Sequence, residues 1–183
     1  MGSKLKKLIK ITEEAGAFKT GDFILSSGKK SNIYFDGRII TLLPESLRII
    51  SELMFEIVVE KKINVIAGPT LGADAIIAGT LMVAAEKKHN LNGAIVRKET
   101  KTHGTGNQIE GNYKKNDRVL VVDDTCTTGG SVLFASEVLE THKCNVIKIM
   151  CVVDRVEGGR EKIEKSGYSF DSLLMVKNKK LVF

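Results

Sequence analysis

The chain has no tryptophan, two prolines and three cysteines among its 183 residues. Two isolated prolines, Pro44 and Pro69, make no Pro-rich linker. Cys126, Cys144 and Cys151 are odd in number and show neither C-x-x-C nor Cys/His spacing. That pattern excludes a disulfide framework and a zinc site, and a reducing cytoplasmic setting is expected. No apolar run approaches the roughly 20 residues that cross a bilayer, and the N-terminus lacks a signal-like core, so no membrane partner is expected. A G-x-G-x-x-G after a strand is missing. "GKKS" at Gly28–Ser31 lacks the upstream glycine of a Walker A loop and the Ser/Thr directly after its first lysine. Nucleotide hydrolysis and dinucleotide binding both lose support. Neither sign of charge dominates: 28 Lys and Arg face 22 Asp and Glu, for a net +6. Evenly spread, that excess reads as a solvated surface; it implies no nucleic-acid partner and is compatible with a phosphorylated substrate.

What is present suits one domain over residues 1–183: 43% apolar residues, with no repeat and no linker. Leu5 to Ala15 reads as a helix with Leu8, Ile9 and Ile11 or Thr12 inward. Residues 18–40 carry turn punctuation at Gly21-Asp22 and Ser27-Gly28 and read as irregular strands forming a flap. Pro44 opens a helix to about Lys62 with Leu47, Ile50, Met54, Ile57 and Val58 on one face. After it, "INVIAG", "GAIVRK", "RVLVVDD" and "NVIKIMCVVD" read as strands. They alternate with helices: "LGADAIIAGTLMVAAEKKH", apolar on most sides, then Thr128 to His142, then a short one near 159–165. A last strand falls around 172–176. The alternation predicts an α/β fold: βαβ units, a mostly parallel central sheet and helices on both faces. Ligands of such sheets sit outside the carboxyl ends of the strands. Four strand ends carry unusual chemistry: "AGPTLGAD", "VRKETKTHG", "VDDTCTTGG" and "VVDRVEGGR".

The most informative is "RVLVVDDTCTTGGSV", Arg118 to Val132. Amides from Thr125 to Ser131 at a helix N-terminus make a phosphate cradle, which Gly129 and Gly130 let approach closely. Helix capping by Thr and Ser would explain the loop equally well. It would not explain Asp123 beside Asp124 at the end of a buried strand, where the pair repels itself and loses solvent. Such acids call for partners such as a sugar diol or a hydrated Mg²⁺. In "VRKETKTHGTGNQIEG", Arg97, Lys98, Lys101 and His103 crowd seven residues of a long loop. A solvated charge run is the ordinary reading, but long loops in compact α/β domains are often lids. Cys126 reads as a small filler, since no base or orienting partner for a nucleophile is evident. Cys144 and Cys151 read as buried and inert, and His89 and His142 as helix C-terminal caps.

These residues carry a resemblance. "VLVVDDTCTTGGSV" resembles the 5-phosphoribosyl-1-pyrophosphate (PRPP) signature of type I phosphoribosyltransferases, and "RKETKTHG…EG" resembles the catalytic loop of the orotate phosphoribosyltransferase family. "VVDRVEGGRE" resembles that family's segment after the next strand. "FILSSGKKSNIYFDGR" resembles its flap, or hood, over the base. The resemblance implies a type I phosphoribosyltransferase-like fold. It also implies transfer of phosphoribosyl from PRPP to orotate, giving orotidine 5′-monophosphate and pyrophosphate in pyrimidine biosynthesis, with Mg²⁺. In that reading Arg97, Lys98, Lys101, His103, Asp123, Asp124, Thr125, Cys126, Thr127, Thr128, Gly129, Gly130 and Ser131 bind PRPP. Lys98, Lys101, His103, Asp123 and Asp124 are catalytic, and His103 serves the leaving group. Thr127, Arg155, Lys30, Tyr34 and Phe35 bind orotate. No protein side chain ligates the metal directly; it arrives on PRPP and is water-bridged to Asp123 or Asp124. A homodimer with shared sites is also implied.

Alternatives remain at individual positions. Arg155 could pair with Asp154 or Glu157, and one of Tyr34 and Phe35 is expected to be plain packing. Some relatives have lysine at about Leu71 and at Ser26, and Asp74 stands where an apolar residue is expected. Two further functions fit parts of the pattern: transfer to a purine or another base, and a non-catalytic PRPP or nucleotide sensor.

Overall fold

The computed structural model describes residues 1–24, 30–99 and 107–183, with backbone alone at Ile24, Lys30 and Ser31. In chain order the first elements are α1 (Gly2–Glu14), β1 (Phe18–Ile24), β2 (Lys30–Phe35), α2 (Gly37–Thr41), α3 (Pro44–Glu60), β3 (Val65–Pro69), α4 (Asp74–Glu86) and β4 (Asn92–Val96). There follow β5 (Ile109–Gly111), β6 (Arg118–Cys126), α5 (Gly130–Thr141), β7 (Asn145–Asp154), α6 (Gly159–Lys165), β8 (Phe170–Lys177) and β9 (Lys180–Val182). Seven strands form one sheet in the order β5-β4-β3-β6-β7-β8-β9. β4, β3, β6, β7 and β8 run parallel, and the edge strands β5 and β9 are antiparallel to their neighbours. β1 and β2 form a separate antiparallel ribbon. The expected α/β architecture is therefore present.

Alternation along the strands divides the core. Ile66, Leu120, Val122, Met150 and Val152 pack with α1, α3 and α4 on one face. Val65, Ala67, Val119, Val121, Ile149 and Cys151 pack with α5 and α6 on the other. Strands covered on both faces have no polar side to show, which is why β6 and β7 read as nearly continuous β-branched runs.

The structure differs from the sequence reading at several points, among them β5, which falls within the stretch read as a long loop. Residues 18–40 are not strands throughout: an antiparallel ribbon whose register shifts between Thr20 and Phe23 is followed by helix α2, capped by Asp36, whose carboxylate accepts the Arg38 N–H. The buried face of α3 is turned toward Ile49 and Leu53, leaving Leu47 and Ile57 at its edge. α4 is apolar on most sides yet leaves Met82 64% exposed. The C-terminus adds strand β9, joined to β8 through Asn178 and Lys179 at φ 50 and 57.

Three helices end alike. Lys62, Lys88 and Lys143 follow the C-caps of α3, α4 and α5 with φ 53, 53 and 64. The next amides, of Ile63, His89 and Cys144, reach back to Val58, Ala84 and Leu139 carbonyls, closing Schellman turns. After α1 and α6 the same position is glycine, Gly16 and Gly167. A left-handed backbone costs an L-residue about 1–2 kcal/mol, and glycine's extra unfolded-state entropy returns about 0.5–1 kcal/mol of that difference. Each of Lys62→Gly, Lys88→Gly and Lys143→Gly is expected to stabilise the chain by about 0.5–1 kcal/mol. The expected reading is a higher urea midpoint with unchanged slope.

Candidate active site

The chain leaves β3 toward β4 on one side, while β6 lies on the other side of β3. At such a switch point the loops diverge and open a crevice beyond the strand ends. A cavity of about 640 Å³ occupies it. Of the residues singled out in the sequence, Tyr34, Phe35, Lys98, Asp123, Asp124, Thr125, Thr127, Ser131 and Arg155 line it together.

β6 delivers the two acids. Four buried residues, Val119 to Val122, precede Asp123, which is 7% exposed. The Asp124 N–H donates to Asp123 Oδ1 at 2.9 Å. Burial, and then the neighbouring Asp124 charge, push the Asp123 carboxyl up to about 8; the Asp124 amide and the Lys98 charge oppose this. Asp124 is also raised by burial, against a hydrogen bond from Thr125 and the Arg38 charge. Two glycines make room for the pair. A Cβ at Gly72 would collide with Asp123 Oδ1 and meet Asp124 Oδ1 at 2.9 Å; one at Gly37 would lie 2.7 Å from Asp124 Oδ2.

The loop after β6 forms a contiguous hollow of about 210 Å³, lined by Asp123 and by every residue from Thr125 to Val132. Gly129 has φ 72, and a Cβ there would press on Ile163 and the Gly159 carbonyl. α5 starts at Gly130, directly behind the hollow, so its unpaired N–H groups face it. The Cys126 side chain is buried, and its thiol contacts Cys151. The contact with Cys126 and then burial hold the Cys151 thiol well above its ordinary range, which suits an inert core group.

Arg155 follows the end of β7. Its N–H donates to the Cys126 carbonyl at 2.9 Å, tying it to the hollow. Its side chain is 10% exposed, with Nη2 2.7 Å from Glu157 Oε1. That ion pair lacks hydrogen-bond geometry: Nε and Nη2 are buried without a hydrogen-bond partner among the described residues. Of the two alternative carboxylates, Glu157 is the one Arg155 meets; Asp154 pairs with Arg160. Phe35 is buried in the core at 8% exposure, whereas Tyr34 is 38% exposed and its ring lies 5.6 Å from that of Phe23.

Other expected residues stand apart. Arg97 is exposed, its N–H on the Gln108 carbonyl at 2.9 Å, and it is not part of the cavity wall. Lys30 begins β2, but its side chain is outside the description; Lys101, His103 and Ser26 lie outside the described residues. The cavity also takes residues that the sequence reading did not name as site residues: Asp36, Gly37, Arg38, Pro69, Thr70, Leu71 and Gly72. "FDGR" was the signal for the first group, an acid, a glycine and a cation directly after an aromatic strand. Arg38 Nε and Nη2 lie 3.1 and 3.4 Å from the two Asp36 carboxylate oxygens. Asp74 sits behind the wall, accepting the Thr70 hydroxyl at 2.9 Å.

The raised Asp123 carboxyl predicts a pH dependence for the ligand-free protein. The unfolded chain ionises this group near 3.8 and the folded chain near 8. Its stabilising contribution is therefore full below the lower value and is lost as pH rises through the upper one. Thermal unfolding is expected to move to lower temperature between about pH 5 and pH 8 and then level off. In Asp123→Asn that component should vanish, leaving the variant the more stable of the two at about pH 8.

Comparison with known proteins follows the same lines. Residues 38–180 match the model of the phosphoribosyl transferase domain. The orotate phosphoribosyltransferase of Pyrococcus horikoshii is 45% identical over 172 residues, which span 93% of this chain and 90% of that protein. The Mycobacterium tuberculosis orotate phosphoribosyltransferase, solved with Fe(III) dicitrate, superposes with a TM-score of 0.82 at 32% identity. That match covers 94% of this chain and 97% of the other. The same enzyme solved with PRPP gives 0.78 at 30% identity, over 94% and 96%. With the acidic pair, the loop hollow and a buried arginine whose Nε and Nη2 lack hydrogen bonds gathered at one rim, the chain belongs to the orotate phosphoribosyltransferase family.

Proposed function

We infer that the chain transfers the 5-phosphoribosyl group of PRPP to orotate, giving orotidine 5′-monophosphate and pyrophosphate in pyrimidine biosynthesis. The observation that carries this reading is the Arg155 guanidinium. A buried cation with two nitrogens lacking hydrogen bonds, facing a cavity that also holds an acidic pair, fits a planar carboxylate. We read residues 1–183 as one phosphoribosyltransferase domain with the 18–40 segment as the flap over the base.

The amides from Thr125 to Ser131 hold the 5′-phosphate, and Asp123 and Asp124 hold the ribose hydroxyls. As the bond from C1 of the sugar to the pyrophosphate oxygen breaks, positive charge grows on the ring within reach of the acids, which stabilise it. N1 of orotate bonds to C1 and gives its proton to solvent, and pyrophosphate leaves with the electron pair of the broken C1–O bond. Lys98, Lys101 and His103 offset the charge of the leaving group and keep out water, with His103 the proton donor to it in this reading. Thr127 and Arg155 orient orotate, and the exposed Tyr34 ring offers it a face. Mg²⁺ fits as a partner carried by the substrate: the two carboxylates at the cavity wall suit water-bridged contact. Bound there, it would neutralise pyrophosphate charge.

A homodimer with shared sites is part of the reading. Exposed Leu42 and Leu43 lead into Pro44, which with Leu47 and exposed Met82 lines one shallow groove between α3 and α4. An apolar surface of this kind suits an interface. A cytoplasmic setting accords with three free cysteines. Among the described residues no helix is long and apolar enough to cross a membrane.

The test is pyrophosphate release from PRPP and Mg²⁺ with orotate, uracil, adenine, hypoxanthine and xanthine offered in turn. Release with orotate alone is expected. Arg155→Ala should then lose about 10–100-fold in kcat/KM for orotate, as expected for one charged hydrogen-bonding group. Release with a purine, unaffected by Arg155→Ala, would instead favour another base. For shared sites, Lys101→Ala mixed with Asp124→Asn is expected to regain activity as a heterodimer. Stable mixed dimers that stay inactive would refute sharing.

A further inference from the structure

We propose that Asp154 is a positioning residue for base recognition, holding the turn that presents Arg155 to the cavity. The inference rests on the reading of Arg155 as the group that pairs with the carboxylate of orotate.

Asp154 ends β7 and is 1% exposed. A carboxylate this deep needs partners, and its two oxygens serve different elements. Oδ1 accepts the Val156 N–H at 2.8 Å, spanning Arg155 from behind. Oδ2 lies 3.3 Å from Arg160 Nε on α6. Arg160 is itself held: its guanidinium lies 4.8 Å from the centre of the Phe170 ring, and Nη1 donates to the Phe170 carbonyl at 3.4 Å. The brace therefore runs from the β8 strand through α6 to the turn.

The turn needs holding. Val156 is β-branched, 54% exposed and at φ 56, a backbone state that such residues rarely adopt. Its side chain gains little from burial, so local packing does not offset the strain. The carboxylate–amide bond across Arg155 does. With the turn held, Arg155 keeps its amide on the Cys126 carbonyl and its guanidinium buried at the cavity wall. Without it, Val156 relaxes toward ordinary φ, and the guanidinium is free to follow Glu157 toward solvent.

The test is steady-state kinetics on the full chain, with thermal unfolding as a check on folding, for Asp154→Ala, Asp154→Asn, Arg155→Ala and the Asp154→Ala/Arg155→Ala double variant. Asp154→Ala is expected to raise KM for orotate about ten-fold while KM for PRPP stays within about two-fold. Asp154→Asn keeps an oxygen for the Val156 N–H and is expected to recover most of the orotate KM. The double variant should be no worse than Arg155→Ala, because the brace then has nothing to orient. Additive losses in the double variant would overturn the proposal. So would an equal rise in both KM values, or a fall in kcat alone. An unchanged orotate KM in Arg155→Ala would overturn it by removing the reading of the base site on which it rests. If Asp154→Ala proves too unstable to assay, the same measurements are made in a Lys62→Gly/Lys143→Gly background, and the same outcomes decide.

Discussion

Two carboxylates side by side at the end of a buried strand are the constraint around which the rest of the site is arranged. Asp123 and Asp124 repel each other, and β6 removes them from water before any ligand arrives. Every local feature answers that cost in part. The Asp124 amide turns onto Asp123, Thr125 and the Arg38 charge favour ionised Asp124, and Gly72 and Gly37 leave the carboxylates room to stand. The compensation is incomplete, and Asp123 stays protonated well into the neutral range. In the function proposed above, a polyhydroxyl ligand with developing positive charge would supply what the free protein lacks, so the strain of the free site and its preference for such a ligand would have one origin.

In the proposed reaction the acids depend on two other groups that the fold holds near them. The phosphate hollow and the base-reading turn are one packed unit: Gly129 fits beneath Ile163 and the Gly159 carbonyl, and Arg155 is tied by its amide to Cys126. α6, a short helix with no residue in the cavity wall, thereby sets the spacing between the loop hollow and Arg155, the two groups proposed to hold the phosphate and the base carboxylate. Side chains on adjacent strand ends hold such spacing better than long loops do, because sheet register allows little slack.

Much of this was legible in the chain because strand ends in an α/β sheet are marked by local chemistry. Asp123–Asp124 and the Thr125–Ser131 loop stood out by residue type and position, Arg155 through the family resemblance of its segment, and the structure brings them to one rim. Other features depend on neighbours that the sequence does not name. The buried face of α3 is turned by where α1 and α4 press on it, so Ile49 and Leu53 are fully in the core while Ile57 packs at its margin and Leu47 is only half-buried. Arg97 sits in a basic run with Lys98, yet Lys98 lines the cavity and Arg97, tied by its amide to the Gln108 carbonyl, does not. Arg38 and Asp36 were not named as site residues from the sequence; the turn into α2 lays them beside Asp124.

The sequence by itself determined the alternation of strands and helices, hence the parallel sheet and the edge where a ligand sits. It determined the chemistry at that edge as well: an acidic pair, an anion loop and a guanidinium, because these depend on residue types within a few positions of a strand end. Only the tertiary structure decided which strand ends meet. The order β4-β3-β6-β7 creates the switch point, and no local pattern encodes the order in which parallel strands assemble. It also decided the protonation of Asp123, which depends on burial by elements far away in the chain. The pairing of Asp154 with Val156 and Arg160 was decided there too, because a strained turn is stable only when the surrounding fold holds both ends.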